Sequence, residues 1–170
     1  MAIKDYTLSL KLQPDDSVVL NNRAVAYAGQ DKLELAFADY NRSIELAPFT
    51  AMTLVNRGLA YLTTDKLELA ILDCTKAIEV APTRTRAYRT RADAYAGQDK
   101  LELAFADYNR SIELAPAEAL TYHNRGLAYY HQGELEKAIA DLTKAISLDP
   151  QLDTAYNNRG LAYYDQGELD

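Results

Sequence analysis

All five prolines of this chain, Pro14, Pro48, Pro82, Pro116 and Pro150, stand 34 residues apart, and its length of 170 residues is itself five such periods. A period of that size means copies of one supersecondary unit, stacked in a row, rather than one unrepeated core. Aligned on the prolines, four complete units run 15–48, 49–82, 83–116 and 117–150. Residues 1–14 match the second half of a unit and residues 151–170 the first half. The expected organisation is therefore one repeat domain over 1–170, with a half-repeat at each end.

Each unit holds two helical segments. Leu54, Gly58 and Tyr61, or Tyr122, Gly126 and Tyr129, fall on one face of a first helix, because steps of four and three share a helical face. Leu33, Ala36, Phe37, Tyr40 and Ile44 make the same kind of stripe on a second helix. Two helices of about 12–15 residues with short connections fill a 34-residue unit and leave no room for strands. The fold class is all-α. Asp31 with Glu34, Asp65 with Glu68, and Asp99 with Glu102 have the spacing of capping boxes at the second helices. Thr50, Asp153 and Ser17 are expected N-caps of first helices. Gly29, Gly97, Gly133 and Gly167 fall near the turn inside the unit, where a positive φ favours glycine. One such hairpin buries a single face and is marginal alone; stacking makes a continuous core.

Charge and composition narrow the function. Eighteen Lys and Arg against 25 Asp and Glu give a net charge of −7, which argues against phosphate-driven nucleic-acid binding. The longest stretch without a charged side chain is eleven residues, Leu46 to Asn56, too short to span a bilayer. The start, Met1 to Tyr6, has no apolar run of signal-peptide type. These features predict a soluble, cytoplasmic protein with no membrane partner. One cysteine, Cys74, excludes an internal disulfide framework, and its place in the repeat column of Tyr40, Tyr108 and Leu142 makes it a core residue. His123 and His131 are the only histidines, eight positions and about 12 Å apart on a helix. One metal cannot bridge them, and no phosphate-cradling glycine loop occurs, so neither catalysis nor a cofactor is expected.

The repeated residues resemble the tetratricopeptide repeat. Tyr122, Gly126, Ala128, Tyr129, Ala138, Leu142, Ala145 and Pro150 follow that family's pattern in the fourth unit. Leu54, Gly58, Ala60, Tyr61, Ala70, Cys74, Ala77 and Pro82 follow it in the second. Ala24 and Ala92 replace the small glycine, and Ser43 and Ser111 the later alanine, all still small. The resemblance covers the whole chain. It implies a right-handed superhelical solenoid with a concave groove lined mainly by first helices, and binding of a protein or peptide rather than an enzyme activity.

Several columns recur. Arg23, Arg57, Arg91, Arg125 and Arg159 face aspartates at Asp5, Asp39, Asp73, Asp107 and Asp141, which predicts structural ion pairs between neighbouring helices; a ladder for an acidic ligand is the alternative. Asn22, Asn56, Asn124 and Asn158 precede the arginine in four units. In the family such asparagines often bind a peptide backbone; here they could equally bond within the stack. Tyr27, Tyr61, Tyr95, Tyr129 and Tyr163 share one column and read as packing residues.

The units differ most on the face opposite those tyrosines. It carries Asn21, Val25 and Ala28; Met52, Val55, Leu59 and Leu62; Arg86, Arg89 and Asp93; Leu120, His123, Leu127 and Tyr130; and Asn157, Leu161 and Tyr164. This is the expected peptide-binding groove. Its apolar second unit and the arginines of its third suit a peptide with apolar and acidic side chains. The lysine–asparagine–arginine set by which the family's chaperone-tail binders clamp a terminal carboxylate is not found, since Asn21 and Val25 stand at two of its places.

A second expectation concerns the ends. Ala2, Tyr6 and Leu10 belong to a second helix without its first, and Tyr156, Gly160 and Tyr163 to a first helix without its second. Setting Asp170 before Met1 restores a 34-residue unit, so the alternative function is a structural assembly unit stacking head to tail as a homo-oligomer. Residues 23–48 and 91–116 agree at 25 of 26 positions, differing only at Val25 and Asp93, which fits recent duplication or an engineered array.

Overall fold

The computed structural model describes residues 1–168; the last two residues of the 151–170 half-repeat, Leu169 and Asp170, lie outside the described residues. Ten α-helices occur among them, with no strand. They are α1 (Ala2–Leu12), α2 (Ser17–Ala28), α3 (Leu33–Leu46), α4 (Ala51–Thr63), α5 (Leu67–Val80), α6 (Thr85–Gly97), α7 (Leu101–Leu114), α8 (Ala119–His131), α9 (Leu135–Leu148) and α10 (Asp153–Gln166). The chain forms two compact units, residues 1–94 and 95–170.

In the first unit α1 packs on α2, α2 on α3, α3 on α4 and α4 on α5. Close approach is possible because the contact columns are small: Ala24, Ala36 and Ala70 are wholly buried. Tyr40 joins Ala24, Ala36 and Ala60 in one cluster, with Tyr27 and Phe37 packed against it. Leu54 and Val55 build the next with Ala51, Ala77 and Ala87. Each large aliphatic side chain buried this way contributes roughly 1.5–3 kcal/mol before entropy losses. In the second unit α8 packs on α9 and α9 on α10, around Leu142, Ala145 and Ala155.

Turn chemistry departs from the expected capping boxes. Asp31, Asp65 and Asp99 lie at φ of 57°, 56° and 58°, the left-handed region, and the N-caps of α3, α5 and α7 are Lys32, Lys66 and Lys100, without side-chain cap bonds. The backbone explains this. Lys66 N–H donates to the Tyr61 carbonyl at 2.9 Å and Asp65 N–H to the Leu62 carbonyl at 3.1 Å. That pair of bonds is a Schellman closure, with the aspartate at its left-handed position. Gly133 and Gly167, at φ 80° and 87°, occupy the same column and close α8 and α10 alike. Gly29 does not take a positive φ; it sits at −65°. The first-helix caps shift as well: Asp16, not Ser17, caps α2, accepting from Val18 and Val19 N–H at 3.0 Å each. Thr50 is the N-cap of α4 but makes no side-chain cap bond, and Asp153 is already helical, with Leu152 before it. Because glycine fits the left-handed position without steric cost, Asp65→Gly is expected to raise stability by about 0.5–1 kcal/mol in urea unfolding.

Candidate functional site

The recurring arginines fix the framework that carries the groove face. Arg57 on α4 donates to both carboxylate oxygens of Asp73 on α5, Nε to Oδ2 and Nη2 to Oδ1, each at 2.7 Å. Arg23 holds Asp39 in the same fork at 2.7 and 2.8 Å, and Arg125 holds Asp141 at 2.6 and 2.8 Å. The remaining guanidinium nitrogen reaches back to the preceding second helix, from Arg57 to Asn41, Arg23 to Thr7 and Arg125 to Asn109. Arg91 and Arg159 make the same backward bond to Thr75 and Thr143. Where both bonds occur, one side chain ties three successive helices together. Burial pulls the Arg57 guanidinium down, but the hydrogen bond and charge of Asp73 outweigh it and leave it raised. The forks of Arg23, Arg57 and Arg125 are structural ion pairs between neighbouring helices, as these columns predict.

The asparagines bond within the stack. In the first unit Asn56 donates to Asn21 Oδ1 at 3.0 Å, and Asn21 donates to Asn22 Oδ1 at 3.3 Å. His123 takes the place of Asn21 in the second unit, its ring nitrogens each 3.0 Å from Asn124 and Asn158. Both imidazole nitrogens are thus engaged. The tyrosine column packs as expected: Tyr61 stacks on Phe37 with centroids 4.7 Å apart, and Tyr129 on Phe105 at 4.4 Å.

Two hollows open on the groove face of residues 1–94. The larger, about 370 Å³, is walled by Val25, Ala28, Leu33, Leu59 and Ala60, with Asp31, Tyr40, Asn56, Thr63 and Arg86 as polar members. The other, about 310 Å³, adjoins it through Val25, Asn56 and Arg86, and adds Tyr6, Asn21, Asn22, Met52, Val55 and Arg84. The structure thus gathers seven of the expected groove residues of this unit: Asn21, Val25, Ala28, Met52, Val55, Leu59 and Arg86. Val55 and Asn21 are floor residues, 2% and 4% exposed, whereas Val25 and Met52 are open to solvent. Leu62 and Arg89 are half-buried and line neither hollow. In the second unit Leu120 and Leu161 are exposed, as is Asn157, while His123, Leu127 and Tyr130 are half-buried. Tyr130 donates to Asp165 at 2.6 Å.

Of the residues assigned to end contacts, Tyr6 lines the smaller hollow and Leu10 is already buried within its own unit. Ala2, Tyr156 and Gly160 are exposed and Tyr163 is half-buried.

Tyr40 and Arg84 were not among the expected groove residues, and Asn56 was expected only through its asparagine column. Tyr40 shares a column with Cys74 and Leu142, which hides its hydroxyl behind a core pattern; Arg84 precedes the helix that the repeat arithmetic aligns. Burial pushes the Tyr40 hydroxyl up to about 12, with Arg86 pulling the other way. A folded value above the unfolded one stabilises fully below pH 10 and is lost as pH rises from 10 through 12. After allowance for screening the loss is at most roughly 2 kcal/mol. Tyr40→Phe should accordingly lose less stability than the parent between pH 9 and 11.5 in urea unfolding.

The 34-residue clasped hairpins have direct counterparts among known proteins. The Tetratricopeptide repeat family matches residues 18–50, 53–84 and 85–118, more than half of the chain. The chain belongs to the tetratricopeptide repeat family. Further matches to the family's repeats span 107–140 and 127–167. Among solved structures, a tetratricopeptide repeat protein from Parabacteroides merdae ATCC 43184 is 26% identical with a TM-score of 0.84, over 98% of this chain and 65% of that one. YrrB, described as a TPR protein with an unusual peptide-binding site, is 19% identical with a TM-score of 0.71, covering 97% of this chain and 85% of its own. The first TPR of Spaghetti (RPAP3), bound to the HSP90 peptide SRMEEVD, is 26% identical with a TM-score of 0.65, over 69% and 93%. Comparison with curated proteins gave no match. The fold is the all-α tetratricopeptide solenoid. No helix among the described residues is long and apolar enough to cross a membrane.

Proposed function

We propose that this tetratricopeptide chain is a non-enzymatic interaction scaffold whose groove in residues 1–94 binds an extended segment of a partner protein. The observation that carries this is the pair of adjoining hollows with apolar walls and convergent polar groups. The amide ladder fits the same use. Among the described residues it leaves Asn56 Oδ1 and Asn22 Nδ2 without partners, an acceptor and a donor for a passing backbone. Exposed Arg84 and Arg86 place positive charge beside the groove of a chain with net charge −7, which favours acidic character in the partner. The peptide-binding descriptions of YrrB and of the RPAP3 repeat support the same class of ligand.

The test is selection of a randomised, displayed twelve-residue peptide library on the chain. Leu59→Glu should weaken selected peptides at least about tenfold, since it puts a charge into an apolar wall, while Leu72→Glu on the exposed face of α5 should change affinity less than about twofold. The reverse pattern would refute the groove as the binding face.

A second reading is favoured by the surface of α10. A Cβ at Gly160 would meet nothing within 4 Å, whereas one at Gly126, a period earlier, would meet Leu142, Asp141 and Ala138. In the 170-residue chain taken by itself, α1 of a second copy carries Asp5 and Tyr6 in the register of Asp141 and Leu142. Arg159 would then clasp the second copy's Asp5, and the copies would stack head to tail. Sedimentation at increasing concentration should show growing mass, abolished by Arg159→Glu; a constant single-chain mass would exclude this assembly.

A further inference from the structure

We infer that the larger hollow is a subsite for a tyrosine side chain of the bound segment, its ring between the apolar walls and its hydroxyl donating to Thr63 Oγ1. This rests on the groove reading and gives its ligand a chemical class. The chain itself holds a counterpart of that occupant. Tyr130 on α8 falls in the repeat column of Ala28 on α2, and Asp165 on α10 falls in the column of Thr63 on α4. Ala28 and Thr63 both line the larger hollow, from the two first helices on either side of it. In residues 95–170 Tyr130 is half-buried and its hydroxyl donates to Asp165 Oδ2 at 2.6 Å, so one phenol side chain bridges the same two columns. Where that unit supplies the phenol from its own chain, residues 1–94 have only the methyl group of Ala28 and a hollow of about 370 Å³.

The hollow's own groups select the same chemistry. Val25, Leu33, Leu59 and Ala60 offer apolar walls, which favour burial of a ring. Its charged members are one carboxylate, Asp31, and one guanidinium, Arg86, so neither sign of ion is preferred and an uncharged side chain fits. Thr63 donates its hydroxyl proton to the Ala60 carbonyl at 2.9 Å, which leaves its oxygen free to act only as an acceptor. It therefore calls for a donor, as the Asp165 carboxylate does in receiving Tyr130. A phenol brings that donor at the tip of a flat apolar ring, whereas leucine or phenylalanine brings none. Thr63 is exposed, so the hydroxyl end of the occupant lies at the wet rim and its ring at the walls.

The probes are C-amidated peptides from the library selection, each paired with versions in which one tyrosine becomes alanine or phenylalanine. On the parent chain the alanine version should bind about tenfold or more weakly, and the phenylalanine version about threefold to tenfold, as loss of ring burial and of one neutral hydrogen bond does. Ala28→Tyr fills the hollow from within, in a column where the chain already carries Tyr130. It should weaken the tyrosine peptides about tenfold, and on it the alanine replacement should cost about twofold or less. Thr63→Val keeps the shape and removes the acceptor; on it the tyrosine and phenylalanine peptides should bind within about twofold of each other. Far-ultraviolet dichroism and cooperative urea unfolding identify folded variants; if Ala28→Tyr does not fold, Thr63→Val decides alone. Selected peptides without a tyrosine position, or equal alanine losses on parent and Ala28→Tyr, overturn the subsite, while weakening by Leu59→Glu leaves the groove reading standing. A phenylalanine loss that persists in full on Thr63→Val overturns the hydroxyl assignment. A selection that enriches no peptide refutes the groove reading and this inference with it.

Discussion

Arg57→Ala is expected to lower stability by about 3–5 kcal/mol, the cost of leaving a buried carboxylate without its partner. Asp73 is 1% exposed and receives both strong donors of Arg57. The same truncation frees Asn41, so the tie to the preceding second helix is lost too. The melting temperature should fall by roughly 10 °C, given about 2–4 °C per kcal/mol for a chain of this size. Two comparisons separate this from a general effect of removing arginine. Arg42 pairs with Asp15 and Glu45 at the surface, and Arg42→Ala should change stability by less than about 1 kcal/mol. The double variant Arg57→Ala with Asp73→Ala should be more stable than Arg57→Ala alone, because no buried charge remains. A loss near that of Arg42→Ala would mean that the clasp contributes little.

The second large effect lies in the glycine column. Gly126→Val should destabilise by about 3 kcal/mol, the upper range for overpacking a tight core. A Cβ there would stand 3.0 Å from Leu142 Cγ, 3.2 Å from Asp141 Cβ and 3.3 Å from the Ala138 carbonyl oxygen, so α8 and α9 would have to separate. That separation would also stretch the Arg125–Asp141 fork, which spans the same two helices. Gly160 is the internal control. It occupies the same column with open space around it, so Gly160→Ala should gain about 0.5–1 kcal/mol from helix propensity alone. Equal responses at the two positions would show that close helix approach does not govern this column.

The repeat frame was legible because proline spacing and column identity are direct sequence signals. Arginines and aspartates recur sixteen apart in the sequence, and Arg23–Asp39, Arg57–Asp73 and Arg125–Asp141 close as forks. The backward bond to Thr7, Asn41, Thr75, Asn109 and Thr143 was equally periodic, but alternating threonine and asparagine disguises one role under two residue types. Asp31, Asp65 and Asp99 misled for a related reason. Aspartate is both a favoured N-cap and a residue tolerated at positive φ, and only their alignment with Gly133 and Gly167 distinguishes the two. Tyr40 shows the limit of column reasoning: one ring can fill the core with its carbons while its oxygen reaches another surface.

The most direct measurement of the central claim is amide chemical-shift mapping of the isotope-labelled chain titrated with a selected, C-amidated peptide. The account predicts saturable shifts at Val25, Met52, Asn56, Leu59 and Arg86, with the exposed second-helix positions Leu35, Leu69 and Leu72 unmoved. Saturable shifts confined to those second-helix leucines, with the hollows silent, would contradict it.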